Sequence, residues 1–342
     1  MTHPRLRHQM RPRQTEQFKS TQRTVRHFQE VSGRRDPRLE ECYQYFERLQ
    51  SHMLIEDVHT QIIPYESFAK KKTFAIELIP ESQTVESLVA SAFKGRNDYS
   101  RGELTTAVAD FLRECAQSIV CFGETIYELV YLSRNEEPEK LVAFEFQPVP
   151  PLSVKRSGSK FIQNIPPETA NRLGVQSSIE LPAESILFFE LSSFLSSSLK
   201  STLDALAVLS EKHIPEFAMK DLAAAASKYR FDTADQVYSQ KLALAVAGRQ
   251  IGWNARTLFN EEMLEFYQLR RQLRFERFKV QLRDSIIETV NKGLVIAGRK
   301  LGFEAQLTIS GLPKLSDVDM AEADLESGRK TFGDILGQFL YY

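Results

Sequence analysis

Residues 111–131 read FLRECAQSIVCFGETIYELVY, and a change of period inside this stretch sets the fold class. From Thr105 to Phe122 the apolar residues Val108, Phe111, Leu112, Cys115, Ile119 and Phe122 recur three or four positions apart, the spacing of one helix face. Gly123 is the expected stop, because glycine takes the left-handed backbone of a helix C-terminus without a Cβ penalty. Beyond it, Ile126, Glu128 and Val130 alternate with Tyr127, Leu129 and Tyr131, the period of a strand. The turn-like SRNEEPEK leads to a second strand, Leu141 to Phe146 (LVAFEF). A helix that feeds an antiparallel hairpin, rather than a β-α-β alternation, predicts an α+β fold.

Working outward, Gln147 to Pro151 (QPVPP) closes this unit, and SVKRSGSKF predicts a short hairpin around Ser157 and Gly158. Ile186 to Leu191 (ILFFEL) reads as a compact apolar strand. The serine-rich SSFLSSSLKS after it reads as a flexible connection between a mixed α/β half and a helical half. Helical spacing then dominates: Leu203, Leu206 and Leu209 in one piece, Leu222 to Ser227 in another, Leu242 to Val246 in a third. Upstream, Leu39, Cys42, Tyr43, Phe46 and Leu49 predict a helix over Asp36 to Met53, while the β-branched and aromatic stretch from Thr60 to Ile79 predicts extended structure broken by Pro64 and Pro80. The expected organisation is a basic arm (1–35), an N-terminal helix and extended segment (36–100), an α/β domain (101–198) and a mainly helical domain with one strand (199–342).

The longest predicted helix runs from about Asn260 to Ala297, a rod of about 57 Å at about 1.5 Å per residue, with Gly293 as its expected interruption. Phe275, Phe278, Leu282 and Ile286 make an apolar stripe on it, while Arg270, Arg274 and Arg277 fall on a neighbouring face. Between Phe266 and Arg283, Arg271, Lys279 and Arg283 bring the basic residues to six, against Glu276 alone. A strand, Phe303 to Ile309 (FEAQLTI), follows. A last helix is expected to start at Ser316, with Asp319 completing a capping box, and to end near Ser327-Gly328. AGRQIGW at 247–253 and AGRKLGF at 297–303 echo one another, and both match a helix ending at glycine with an aromatic residue folding back over it.

The chain has 342 residues, 42% hydrophobic and 26% charged, an ordinary globular composition that excludes disorder throughout. Three cysteines, Cys42, Cys115 and Cys121, are too scattered for a disulfide framework and point to a reducing compartment. No run approaches about 18 apolar residues, and MTHPRLRHQMRPR lacks the apolar core of a signal peptide, so no membrane partner is expected. Residues 1–35 carry nine Arg and Lys against Glu16 and Glu30, a formal +7, which leaves −8 for the rest of a chain whose total is −1. Arg5, Arg7, Arg11 and Arg13 in this arm, with Arg270, Arg271, Arg274 and Arg277 in the long helix, are the candidate contacts to nucleic acid or another polyanion.

Catalytic chemistry finds little footing. His52, Glu56 and His59 are the only His-acid-His grouping, yet on a helix the two histidines would stand about 10.5 Å apart along the axis, too far to share one Zn²⁺. The acidic cluster Asp317, Asp319, Glu322, Asp324 and Glu326 lacks the glycine and ligand spacing of a calcium loop. There is no G-x-S-x-G, no G-x-x-x-x-G-K-[ST] and no G-x-G-x-x-G after a strand. Cys115 and Cys121 sit in apolar company and read as buried small hydrophobes rather than a redox pair. No catalytic residue, metal or cofactor is expected, and the chain reads as a non-enzyme.

From residue 101 onward the order of elements resembles the portal proteins of tailed phages. FLRECAQSIVCFGETIYELVY looks like that family's wing helix running through a glycine into a strand, and LVAFEFQPVPPLSV like its strand and proline-containing turn. LPAESILFFEL at 181–191, the serine-rich join to SLKSTLDALAVL, EFYQLRRQLRFERFKVQLRDSIIETVNKGL at 265–294, FEAQLTISGLP and DVDMAEADLESGRKTF follow its later elements. The resemblance covers about two thirds of the chain, and residues 210–260 leave little room for the clip segment that portals carry between two stem helices. It implies a wing-like domain followed by a stem-like one, in a homo-oligomeric ring of about a dozen subunits. It further implies double-stranded DNA passing through the ring during packaging and ejection, with capsid, packaging-motor and neck proteins as partners in the virion. The alternative is a cellular nucleic-acid-binding protein that uses the basic arm and helix without forming a ring.

Overall fold

The computed structural model describes residues 18–24, 49–65, 74–93, 103–150, 153–158, 160–211, 233–255 and 264–339. Its elements in chain order are β1 (Phe18–Ser20), α1 (Leu49–Gln61), β2 (Ala75–Ile79), α2 (Gln83–Ala92), α3 (Leu104–Phe122), β3 (Glu124–Arg134), β4 (Glu137–Val149), β5 (Val154–Ser157), β6 (Lys160–Asn164), α4 (Pro167–Leu173), β7 (Ser178–Leu181), β8 (Ile186–Glu190), α5 (Ser193–Glu211), α6 (Thr233–Ala247), α7 (Glu265–Leu301), β9 (Gln306–Ser310), α8 (Leu315–Ser327) and α9 (Phe332–Phe339). The fold is α+β.

The deciding stretch behaves as its periods dictate. α3 ends where the Gly123 N–H donates to the Ile119 carbonyl at 2.8 Å, with Gly123 at φ 80°, and β3 starts at the next residue. β3 is the centre of the main sheet. It pairs antiparallel with β4 along one edge, while its other edge is shared, by β8 against Glu124–Glu128 and by β1 against Leu132–Arg134. Two smaller antiparallel sheets, β2-β9 and β5-β6-β7, complete the strands. The β2-β9 pair ties Ala75–Ile79 to Gln306–Ser310 across most of the chain's length.

One buried apolar cluster spans the molecule from Leu54 to Leu312. It holds Leu112 and Cys115 of α3, Phe146 of β4, Phe189 of β8, Leu199, Leu203 and Leu206 of α5, and Phe275, Phe278, Leu282, Ile286, Val290 and Leu294 of α7. Phe111 sits at its aromatic centre, with ring centroids 4.9 Å from Tyr127, 5.6 Å from Phe146 and 5.8 Å from Phe189. On another face of α7, Leu269, Leu273 and Val280 bury against Val318, Ala321 and Leu325 of α8 and Ile335 and Phe339 of α9. The long helix thus serves two cores.

Several expectations are corrected. The serine-rich run is the first half of α5, not a flexible join. Ser197 and Thr202 donate to the carbonyls four residues back, at 2.9 Å each, and Leu199, Thr202, Leu203 and Leu206 are buried. The main core therefore crosses residue 198 without a break. The helix expected over 36–53 is described from Leu49 and continues to Gln61, because Leu54, Ile55 and Val58 are fully buried there, so Thr60 and Gln61 are helical and not extended. Gly293 does not interrupt α7; a Cβ at that position would press on the side chains of Leu187 and Phe146, so the glycine lets the helix lie close on the sheet. The last helix starts one residue early, at Leu315, and its cap is Asp317, whose carboxylate accepts the Lys314 N–H at 2.8 Å. Phe18–Ser20, within the basic arm, join the main sheet as β1.

Candidate nucleic-acid interface

Arg5, Arg7, Arg11 and Arg13 lie outside the described residues. The part of the arm that is described pairs with β3 through β1 and is held further by a buried side chain. Glu128 on β3 is 1% exposed, and its carboxylate accepts the backbone N–H of Arg23 at 3.0 Å, the N–H of Thr24 at 3.0 Å and the Thr24 hydroxyl at 2.6 Å. The Tyr131 N–H donates to Thr21 Oγ1 at 2.9 Å, and Thr21 N–H to the Tyr131 carbonyl at 3.0 Å, so the segment runs along β3 with Lys19 and Arg23 exposed.

The basic residues of α7 do not form one ridge. Lys279 and Arg283 turn inward: Lys279 Nζ lies 2.6 Å from Glu276 Oε1 and 3.2 Å from Gln61 Oε1, and Arg283 donates to the Pro313 carbonyl. Arg277 faces the acidic helix α8, with Nη2 2.6 Å from Glu322 and 2.7 Å from Asp319. Partial burial opposes its charge, yet the two carboxylates outweigh that and hold the guanidinium above its ordinary value. Arg270 is exposed and reaches Glu326 of the same helix at 3.7 Å. Three of the clustered acids, Asp319, Glu322 and Glu326, are therefore counter-charges for one edge of α7, while Asp317 caps α8 and Asp324 pairs with Arg329 and Lys330. Among the described residues no three His, Cys, Asp or Glu side chains gather where they could hold a metal.

Arg271 and Arg274 point elsewhere, toward the turn that ends α6. Arg271 Nη2 donates to the Trp253 carbonyl, and Arg274 Nη1 to the Arg249 carbonyl at 3.0 Å. The turn sits directly on α7 because Gly248 and Gly252 have no side chains: a Cβ at Gly252, where φ is 83°, would run into the backbone of Arg271 and Phe275. Trp253 is buried and donates its indole N–H to Asp57 Oδ2 at 2.7 Å, which locks the turn to α1. Arg249, which the sequence reading left out, thereby joins Arg271 and Arg274. The signal for it was present in AGRQIGW, whose likeness to AGRKLGF marked a turn folded back on a helix but not what the turn would touch.

Burial, then the neighbouring charges of Arg274 and Arg249, lower the Arg271 guanidinium to about 10. No carboxylate lies within 4.0 Å of Arg249, Arg271 or Arg274 among the described residues. Of the other candidate groups, His59 is taken up structurally: Nδ1 lies 3.4 Å from the Arg113 carbonyl and Tyr65 Oη 3.3 Å from Nε2. Burial lowers its affinity for a proton. Cys115 is buried in the main core, where desolvation pushes its thiol well up, and Cys121 is buried in the same core. No family model matches the chain, and no curated protein matches it.

Proposed function

We propose that the chain is a portal-like structural subunit, assembling into a closed ring at a capsid vertex through which double-stranded DNA is packaged and released. The observation that carries this reading is the succession of elements. A helix turns at a glycine into a hairpin, a compact strand follows, and a 37-residue helix ends through Gly302 into a strand and an acidic helix stopped by Gly328. This is the order on which the resemblance to tailed-phage portals rests. Subunit contacts have candidate surfaces: Tyr238, Leu242 and Val246 are exposed at four-residue spacing on α6, and Leu264 and Tyr267 are exposed where α7 begins. In this role DNA moves without a bond being made or broken, so no catalytic group is required. Capsid, motor and neck proteins are the implied partners, in a virion assembled in the bacterial cytoplasm.

Sedimentation velocity of the full-length protein tests the proposal. A discrete species of about a dozen subunits supports it, and a monomer at micromolar concentration opposes it. The cluster of Arg249, Arg271 and Arg274, three cations with no carboxylate within 4.0 Å among the described residues, also favours a second reading, a nucleic-acid-binding protein that acts without a ring. A monomer that binds DNA supports that one.

A further inference from the structure

We infer that Arg249, Arg271 and Arg274 form a phosphate-binding site, built by the turn after α6 against the first half of α7. The inference rests on the polyanion-contact part of the proposed function and not on ring formation.

Three observations carry it. First, the cluster is unlike its neighbours on the same helix. Arg277 and Arg270 each meet a carboxylate on α8, whereas no carboxylate stands within 4.0 Å of Arg249, Arg271 or Arg274 among the described residues. Second, two of the three cations, Arg271 and Arg274, are held in place before any ligand arrives. The Trp253 and Arg249 carbonyls each take one guanidinium N–H, and Gly248 leaves room for the Arg271 head, since a Cβ there would fall 3.0 Å from Arg271 Nη2. Such fixing lowers the cost of ordering long side chains when an anion binds. Third, Arg271 carries an uncompensated cost: its Nε is buried and has no hydrogen-bond partner, and its charge is crowded by two others.

An anion offsets that cost, and the number of cations argues for its class. A carboxylate has one charge and two oxygens, which one guanidinium fork satisfies. Three guanidinium groups drawn from two elements suit a phosphate, with more acceptor oxygens and, in a free phosphate, nearly two charges. Arg249 is exposed, so the site opens to solvent and admits either a free phosphate or the phosphodiester backbone of a nucleic acid. Tyr267, exposed one turn before Arg271 on α7, borders it.

The test uses full-length protein in equilibrium dialysis against radiolabelled inorganic phosphate and, separately, a short duplex DNA, at constant ionic strength set with chloride. Trp253 is the only tryptophan in the chain, and its carbonyl is a partner of Arg271, so its emission reports whether binding occurs at this turn. Both ligands are expected to bind saturably and to shift Trp253 emission. An Arg249→Gln/Arg274→Gln double variant is expected to weaken both by about tenfold or more, and Lys292→Gln, farther along α7, to leave both unchanged. If the double variant loses its near-ultraviolet circular dichroism, Arg249→Gln alone, at an exposed side chain, replaces it. DNA bound more tightly per phosphate than the free ion assigns the site to a nucleic-acid backbone, and equal affinity assigns it to free phosphate. Unchanged affinity in the arginine variants overturns the inference, as does polyglutamate displacing both ligands, which assigns the cluster to an acidic protein. Sedimentation of the same samples reads ring formation independently.

Discussion

The Thr24 hydroxyl donates to Glu128 Oε2 at 2.6 Å, deep enough that Glu128 is 1% exposed. A buried carboxylate on the central strand is thus satisfied by a segment more than a hundred residues upstream, and two backbone N–H groups of that segment complete its shell. Because an unpaired buried carboxylate is costly, strand and segment stabilise each other.

Glu128→Ala is therefore expected to free residues 18–24 from β3 and to cost about 1–3 kcal/mol, the range for losing charge-assisted hydrogen bonds. Hydrogen exchange at the Arg23 and Thr24 amides checks this directly. Protection that persists in the variant would mean that β1 pairing alone holds the segment.

Arg277 and Arg270 are expected to respond differently to loss of charge. Arg277→Gln removes contacts to both Asp319 and Glu322 and is expected to cost about 0.5–1 kcal/mol and to speed exchange in α8. Arg270→Gln, at a single exposed pair, is expected to stay within about 0.5 kcal/mol. A double-mutant cycle between Arg277 and Glu322, read by urea unfolding, measures the coupling.

Phe278 is 2% exposed and packs in the main core, and Phe278→Ala is expected to cost about 3–5 kcal/mol, seen as a lower urea midpoint. This residue also shows what was legible in the sequence. Phe275, Phe278, Leu282 and Ile286 repeat at 3, 4 and 4, and all four are buried as that repeat dictates. Gly123 likewise stops α3, because the signal lies in adjacent residues. What local pattern does not carry is pairing at a distance. The arginines of α7 read as one ridge because their spacing is visible, whereas the acids of α8 that claim Arg277 lie some forty residues away and the carbonyls that claim Arg271 and Arg274 belong to a turn. Serines misled for the opposite reason: their local preference for loops is real but weak, and the burial of Leu199, Leu203 and Leu206 overrides it.

Glu124 and Glu190 face each other across β3 and β8. Burial first, and the Glu190 charge second, raise the Glu124 carboxyl above its ordinary value. The folded state then holds this proton more tightly than the unfolded chain does, so stability falls as pH rises from the ordinary glutamate value through the raised one. Glu124→Gln is expected to be more stable than the parent at neutral pH and to flatten that part of the profile. Thermal midpoints taken from pH 4 upward, a range that spans the ordinary glutamate value of about 4.3, check both expectations.

The central claim, a ring-forming portal-like subunit, is tested most directly by electron micrographs of the purified full-length protein classified without imposed symmetry. The account predicts closed rings of about a dozen subunits with a central channel wide enough for a DNA duplex, on the order of 20 Å or more. Micrographs containing only monomers or open, non-closing chains, in protein shown to be folded, would contradict it.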